Sequence, residues 1–456
     1  MKKLLKIFSL IVLLVMLIAM LMIAVPWQNF PKKDITVIIT FILNGMLWGL
    51  LLFYELNKRA YSLLIIHWLF CFLFFFCIAF SQYMYGIFPL VVLRSDDLIL
   101  ETNFFLLAWT VLVWAGYHLV CSKQRKMNTS IKLIRIPLWL TFGLTSFTLV
   151  NTVYRVITVG FVALLSRATA EISYGMEASS ASLLITHMLQ AFAFFATIFT
   201  FVFYKQTHKG FFLVCVTSVC LLISYFPTAL SRNAAATIYG GLLLIAFSSL
   251  RKNRVFIVVL LSAFLIVLPF LNAFRGASFE DINMLESMRR VFVHLQDGWL
   301  AGDYDAYAML TLTLEHIQFY GITWGRQLLG VFLFWVPRSL WFAKPIGTGA
   351  FVSTQLGWNF TNLSAPLPAE GLINFGWMGL LVAIVLGKLM KKLDETYWEK
   401  LDPSGKRVRA YDLLYPVLIM FFFFMNRGDL LSSFAFTMAY VTVWWVLCKC
   451  CRQIKL

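Results

Sequence analysis

The sequence predicts an all-α protein that crosses a membrane about twelve times, and three observations carry that expectation. Of 456 residues, 61% are hydrophobic and only 13% charged, too little polar surface to cover a water-soluble globule of this size. Apolar runs such as LFCFLFFFCIAF and VFIVVLLSAFLIVLPFL lie in nearly charge-free stretches of about twenty residues, the length a helix needs to cross the hydrocarbon core. Basic residues gather in alternate connections between these runs, as membrane orientation requires. Residues 1–456 therefore read as one integral membrane domain.

Taken in order, the spans fall at roughly 4–25, 34–54, 61–81, 99–121, 136–158, 183–204, 211–229, 233–250, 255–273, 371–390, 412–426 and 430–448. The first begins with Lys2, Lys3 and Lys6, is longer than a signal core and lacks a convincing cleavage site, so it reads as a retained helix. Those lysines place the amino terminus in the cytoplasm. Alternation then puts NKRA, SKQRKMNTSIKLIR, YKQTHKG, RKNR, KKLDETYWEKLDPSGKRVR and the tail KCCRQIK inside as well, all rich in Lys and Arg. Both termini are expected in the cytoplasm. The net charge of +17 is thus assigned mainly to membrane orientation, which disfavours nucleic acid as a partner.

The same alternation leaves one large connection outside, residues 274–369, which contains the shorter apolar piece LLGVFLFWVPRSLWF. That piece reads as re-entrant or interfacial. Eight cysteines lie without zinc spacing and read as free thiols. HExxH, GxGxxG, P-loop and Gly-x-Ser-x-Gly patterns are absent, so neither a metal nor a nucleotide cofactor is expected.

Three arginines interrupt apolar sequence on the expected outer side: Arg232 in TALSRNAAATIYG, Arg275 in NAFRGAS and Arg427 in FFMNRGDL. Converging guanidinium groups at the interface would suit a lipid-linked pyrophosphate through bidentate hydrogen bonds. The alternative is that they reach the lipid head groups or pair with carboxylates such as Asp429 and Glu280. The large loop adds Glu280, Asp281, Glu286, His294, Asp297, Asp303, Asp305, Glu315 and His316, most of which read as solvated or capping residues. Further along, Arg338 and Lys344 bracket Trp341 and Phe342, a combination able to hold a phosphate while aromatic faces meet sugar or lipid. Glu370 stands at the mouth of the next span, where a carboxylate is costly unless paired, hydrated or used; its alternative reading is a helix cap. Asn374 and Gly376 follow within two turns.

The segments PRSLWFAKPIGTGAF and NLSAPLPAEGLINFGWMGL resemble the Pro-Arg-x-x-Trp-x-x-Lys-Pro and Ala-Glu-x-x-x-Asn-Phe-Gly patterns of Wzy-type polysaccharide repeat-unit polymerases. The span count, the large outer loop and the isolated arginines are similar to that family over nearly the whole chain. The resemblance implies a GT-C-like glycosyltransferase of the bacterial cytoplasmic membrane, independent of metal and nucleotide. It would join oligosaccharide repeats carried on undecaprenyl pyrophosphate at the outer face, making O-antigen, capsule or exopolysaccharide. Arg232, Arg275, Arg338 and Lys344, with Arg427, would then meet the phosphates, and Trp341 and Asn374 would line the substrate path. Glu370 would orient or deprotonate the acceptor, with His316, His294 or Glu315 as alternatives. A flippase and a chain-length regulator are implied partners. The rival expectation is a flippase or other secondary transporter, which should show two comparable halves and cations buried mid-span.

Overall fold

The computed structural model describes residues 33–89, 95–119, 132–165, 180–247, 250, 255–267, 270–271, 289, 298–300, 302–402 and 407–455. Their order begins with α1 (Ile35–Lys58), α2 (Leu63–Tyr85), α3 (Asp96–His118), β1 (Lys132–Arg135), α4 (Leu138–Val159), α5 (Ser180–Thr207) and α6 (Phe211–Ser224). Next come α7 (232–246), α8 (Val255–Val267), α9 (Ala306–Tyr320), α10 (Arg326–Phe332) and α11 (Thr348–Gln355). The chain closes with α12 (Leu367–Phe375), α13 (Leu380–Trp398), α14 (Ala410–Arg427), α15 (Leu430–Lys449) and β2 (Arg452–Lys455).

Helix starts follow local chemistry. Asp34 opens α1 by accepting from the amides of Thr36 at 2.6 Å and Val37 at 3.3 Å, donors that a helix beginning leaves without partners. Ser62 and Ser95 do the same for α2 and α3. Seven segments among the described residues are long and apolar enough to cross a membrane: α1, α2, α3, Ser182–Thr207, Phe211–Ala229, Leu367–Trp398 and α15. The chain has the helices of a multi-pass membrane protein. Helices α4 and α14 occupy the expected spans at 136–158 and 412–426. The span expected at 233–250 contains α7, shorter than the roughly twenty residues a direct crossing needs, and α8 covers the described start of the span expected at 255–273. The expected span at 4–25 lies outside the described residues.

Among the described residues the strands form one two-stranded ribbon. β1 and β2 pair antiparallel, joining two segments that read as basic loops because each is too short to show an alternating pattern.

Small residues bring the bundle together. A Cβ added at Gly116 of α3 would overlap the Ile384 carbonyl of α13, and one at Gly387 would overlap the Val113 carbonyl, so these helices pack backbone to backbone. Beneath them, Asp394 is fully buried and accepts from the Leu63 amide at 2.9 Å and from the hydroxyls of Tyr117 at 2.8 Å and Tyr415 at 2.5 Å.

Part of the expected outer loop belongs to this core. Helix α9 is buried along most of its length, and the Tyr307 hydroxyl donates to Asn103 Oδ1 at 2.9 Å. Gln82, inside α2, donates to the carbonyls of Trp299 at 2.8 Å and Tyr304 at 3.0 Å. The described residues 302–320 therefore pack among the helices. The apolar piece after α9 forms α10 and then a series of turns, leaving Phe332, Trp335, Leu340 and Phe342 exposed.

Candidate functional site

Where α14 ends, the chain must reverse into α15, and Gly428 makes that turn at φ 78°, a backbone region that favours glycine. A Cβ there would also collide with the Ala365 carbonyl. The turn leaves Arg427 and Asp429 on one wall of a cavity of about 730 Å³. Arg232, at the start of α7, and Asp303 stand on the same wall set. Below them Phe74, Phe264, Phe423 and Tyr304 form an aromatic floor, with ring centroids 5.7 Å (Phe74–Tyr304) to 6.3 Å (Phe264–Phe423) apart.

The two arginines are held by carboxylates. Arg232 is ion-paired with Asp303, both partly exposed to the cavity. Arg427 Nη2 lies 3.0 Å from Asp305 Oδ1, and Asp305 Oδ2 accepts from the Ser364 amide at 3.0 Å. Arg427 Nε is buried with no hydrogen-bond partner among the described residues, and the same holds for Ser364 Oγ on the cavity wall. Pairing fixes the direction of both guanidinium groups while leaving donor capacity for an incoming anion.

Asp429 begins α15, with Oδ1 accepting from the Leu431 amide at 2.9 Å. It also accepts from the Thr348 amide. Gly347 permits this contact, since a Cβ at that position would overlap the Asp429 carboxylate. Burial pushes the Asp429 carboxyl above its ordinary value, against the lowering by those two amides. Glu370 lies one layer further in, 2% exposed and absent from the cavity wall. Its Oε2 accepts from Thr348 Oγ1 at 2.8 Å and its Oε1 from the Leu430 amide at 3.3 Å. The two carboxylates thus share Thr348 and the first turn of α15, with Asp429 in front.

Of the residues singled out in the sequence, the structure brings Arg232 and Arg427 together on one cavity. Glu370 stands behind its wall. Arg338 Nη1 donates to the Lys344 carbonyl at 2.9 Å, and Lys344 Nζ donates to the carbonyls of Phe334 at 2.6 Å and Val336 at 2.8 Å. This cross-bracing holds the turns after α10, and neither residue nor Trp341 lines the cavity. Burial, and secondarily Arg338, lowers the Lys344 pKa. Asn374 Oδ1 accepts from the amides of Gln327 at 3.1 Å and Leu328 at 3.2 Å, so it caps α10. His316 is buried against Tyr320 and Phe351, away from the cavity, and burial lowers its pKa. Arg275, Glu280, Asp281, Glu286, His294 and Asp297 lie outside the described residues.

Sequence reasoning weighed Asp429 only as a partner for arginine, and Asp303 and Asp305 only as loop residues. The signal for Asp429 was available: an Arg-Gly-Asp charge pair between two apolar helices has no solvent loop to sit in.

A second space adjoins the first. An apolar groove of about 530 Å³, lined by residues of α2, α7, α8 and α14, shares Phe264, Phe423 and Phe424 with the polar cavity. One continuous surface therefore passes across three phenylalanines from a hydrocarbon-like groove to a cavity lined by two carboxylate-paired arginines.

Fold and site together define a polytopic helical membrane protein with an amphipathic cavity at one end of its bundle. Comparison with family models, curated proteins and solved structures gives no match.

Proposed function

We propose that the protein is a glycosyltransferase of the bacterial cytoplasmic membrane that polymerises oligosaccharide repeats carried on undecaprenyl pyrophosphate, with both termini in the cytoplasm and the cavity at the outer face. The observation that carries this reading is the junction of the apolar groove with the Arg232–Arg427 cavity, which matches a ligand with a long hydrocarbon tail next to a pyrophosphate. The motif resemblance around Arg338–Lys344 and Glu370–Gly376 supports it further and gives the fold as GT-C-like.

In this reading the polyprenyl tail of the donor lies in the groove and its pyrophosphate meets Arg232 and Arg427. A hydroxyl oxygen of the terminal sugar on the acceptor chain attacks the donor's anomeric carbon. The bond from that carbon to the pyrophosphate oxygen breaks, and undecaprenyl pyrophosphate leaves with the electron pair. The acceptor's proton passes to the Asp429 carboxylate. Stabilising the departing charge is the larger task, since fixed donors in a water-poor site act on charge as it develops. Glu370 and Thr348 position Asp429 and the start of α15. Arg338 and Lys344 act on the site through the segment they brace, which leads directly to Gly347. No nucleotide or metal enters the scheme.

The test is incubation of purified protein in liposomes with its lipid-linked repeat, without nucleotide or divalent metal, followed by separation of products by size. A ladder of longer lipid-linked chains is expected. Movement of the intact repeat across the bilayer without a ladder would make the protein a transporter.

A further inference from the structure

Helix α14 carries the reaction cavity at its Arg427 end; its other end, at Asp412, lies roughly 22 Å away at 1.5 Å per residue. There a second cavity of about 730 Å³ is enclosed by β1, β2, the last turns of α5 and the segment leading into α14. Its apolar side is built from Phe201, Val202 and Leu413, and its rim carries Arg135, Lys205 and Arg407.

The ribbon beside it is electrostatically costly as it stands. Its register places Arg135 opposite Arg452 and Lys132 opposite Lys455. Like charges directly opposed on an antiparallel pair, with Cβ atoms about 4.5–5.5 Å apart, destabilise the pairing. The two carboxylates in the cavity wall are already engaged. Asp412 Oδ1 is 2.5 Å from Arg409 Nη2, and Asp402 Oδ2 accepts from the Arg407 amide at 2.9 Å. The adjoining stretches 120–131 and 403–406 contain no Asp or Glu, so they bring no counter-charge of their own. An external anion at Arg135 would relieve the repulsion from Arg452. The apolar side beneath the cationic rim, at the level where spanning helices end, fits an amphipathic anion better than a free one.

We propose that this cavity binds an anionic phospholipid of the adjacent leaflet, with the phosphate between Arg135 and Arg407 and the glycerol and first acyl carbons against Phe201 and Leu413. The bound lipid steadies the β1–β2 ribbon by neutralising Arg135, which faces Arg452. The site is separate from the reaction cavity and does not depend on the reaction proposed there.

The experiment uses the full-length protein in uncharged detergent, titrated with dioctanoyl phosphatidylglycerol, dioctanoyl phosphatidylcholine or inorganic phosphate, with bound adducts counted by native mass spectrometry. Phosphatidylglycerol should bind at least tenfold more tightly than phosphatidylcholine and raise the thermal midpoint of the wild type. Arg135→Gln with Arg407→Gln should lose at least tenfold of that affinity at unchanged helical content. Lys205→Gln, on the exposed end of α5 and outside the ribbon, provides a milder loss if the double variant does not fold. Equal binding of the two lipids, or full affinity in a folded variant, would overturn the site. Inorganic phosphate binding as tightly as phosphatidylglycerol would overturn the lipid and leave a soluble phosphate as ligand.

Discussion

Two carboxylate clusters in this bundle have opposite designs. Asp394 is sealed between α3, α13 and α14, and three donors from the protein converge on it: an amide and two tyrosine hydroxyls. Asp303 and Asp429 line an open cavity with Asp305 behind its wall, and there two arginines are oriented by carboxylates while a guanidinium donor and a serine hydroxyl have no partner among the described residues. Both clusters place charge in an apolar chain. The first spends all of its hydrogen-bonding capacity on the fold, and the second keeps some for a ligand. Polar residues that are fully satisfied inside the protein hold structure, whereas polar residues left incomplete around a space are where chemistry is expected.

Substitutions should separate the two. Arg232→Ala and Asp429→Asn should each lower polymer formation by about 100-fold or more, in line with loss of one charge-stabilising group in a transfer site. Circular dichroism in detergent should stay that of the wild type. Polymer at wild-type levels from both would remove the cavity from the mechanism.

Asp394→Ala should do the reverse. It leaves the Leu63 amide and the hydroxyls of Tyr117 and Tyr415 without their acceptor, at a cost of about 3 kcal/mol in stability. Denaturant midpoints should fall, while transfer per folded molecule is retained. Gly387→Leu, which would drive a side chain into the Val113 carbonyl, should cost about 2 kcal/mol through separation of α3 from α13.

A pH profile sharpens the contrast further. In the proposed transfer Asp429 takes the acceptor's proton and must be ionised, and burial raises its pKa. Transfer should therefore fall as pH drops through a limb lying above the ordinary aspartate value of about 3.9, and Asp429→Asn should abolish that limb. The folding contribution has the opposite sense, because an acid whose folded pKa is raised favours the folded state most at low pH and loses that contribution as pH rises. Activity lost toward acid while stability is kept would identify the limb as catalytic. At the small end, Lys400→Ala should change stability by no more than about 0.5 kcal/mol and leave polymer unchanged.

The amino-acid sequence by itself determined that the chain is a helical multi-pass membrane protein. Long apolar runs can satisfy their backbone groups in lipid only as helices, and that constraint is local. It also marked Arg232 and Arg427, because a guanidinium in a short break between apolar runs stands out by composition alone. Only the tertiary structure decided which marked residues share a space. Arg338 and Lys344 carry the charge the site requires, yet nearby carbonyls take their donors, a contact set by the turns after α10. The family resemblance would give Glu370 the acceptor-activating role, but the reversal at Gly428 puts Asp429 in front of it at the cavity. The pairing of β1 with β2 was equally hidden, since it joins basic segments from distant parts of the chain whose mutual repulsion argues against contact until a counter-ion is considered.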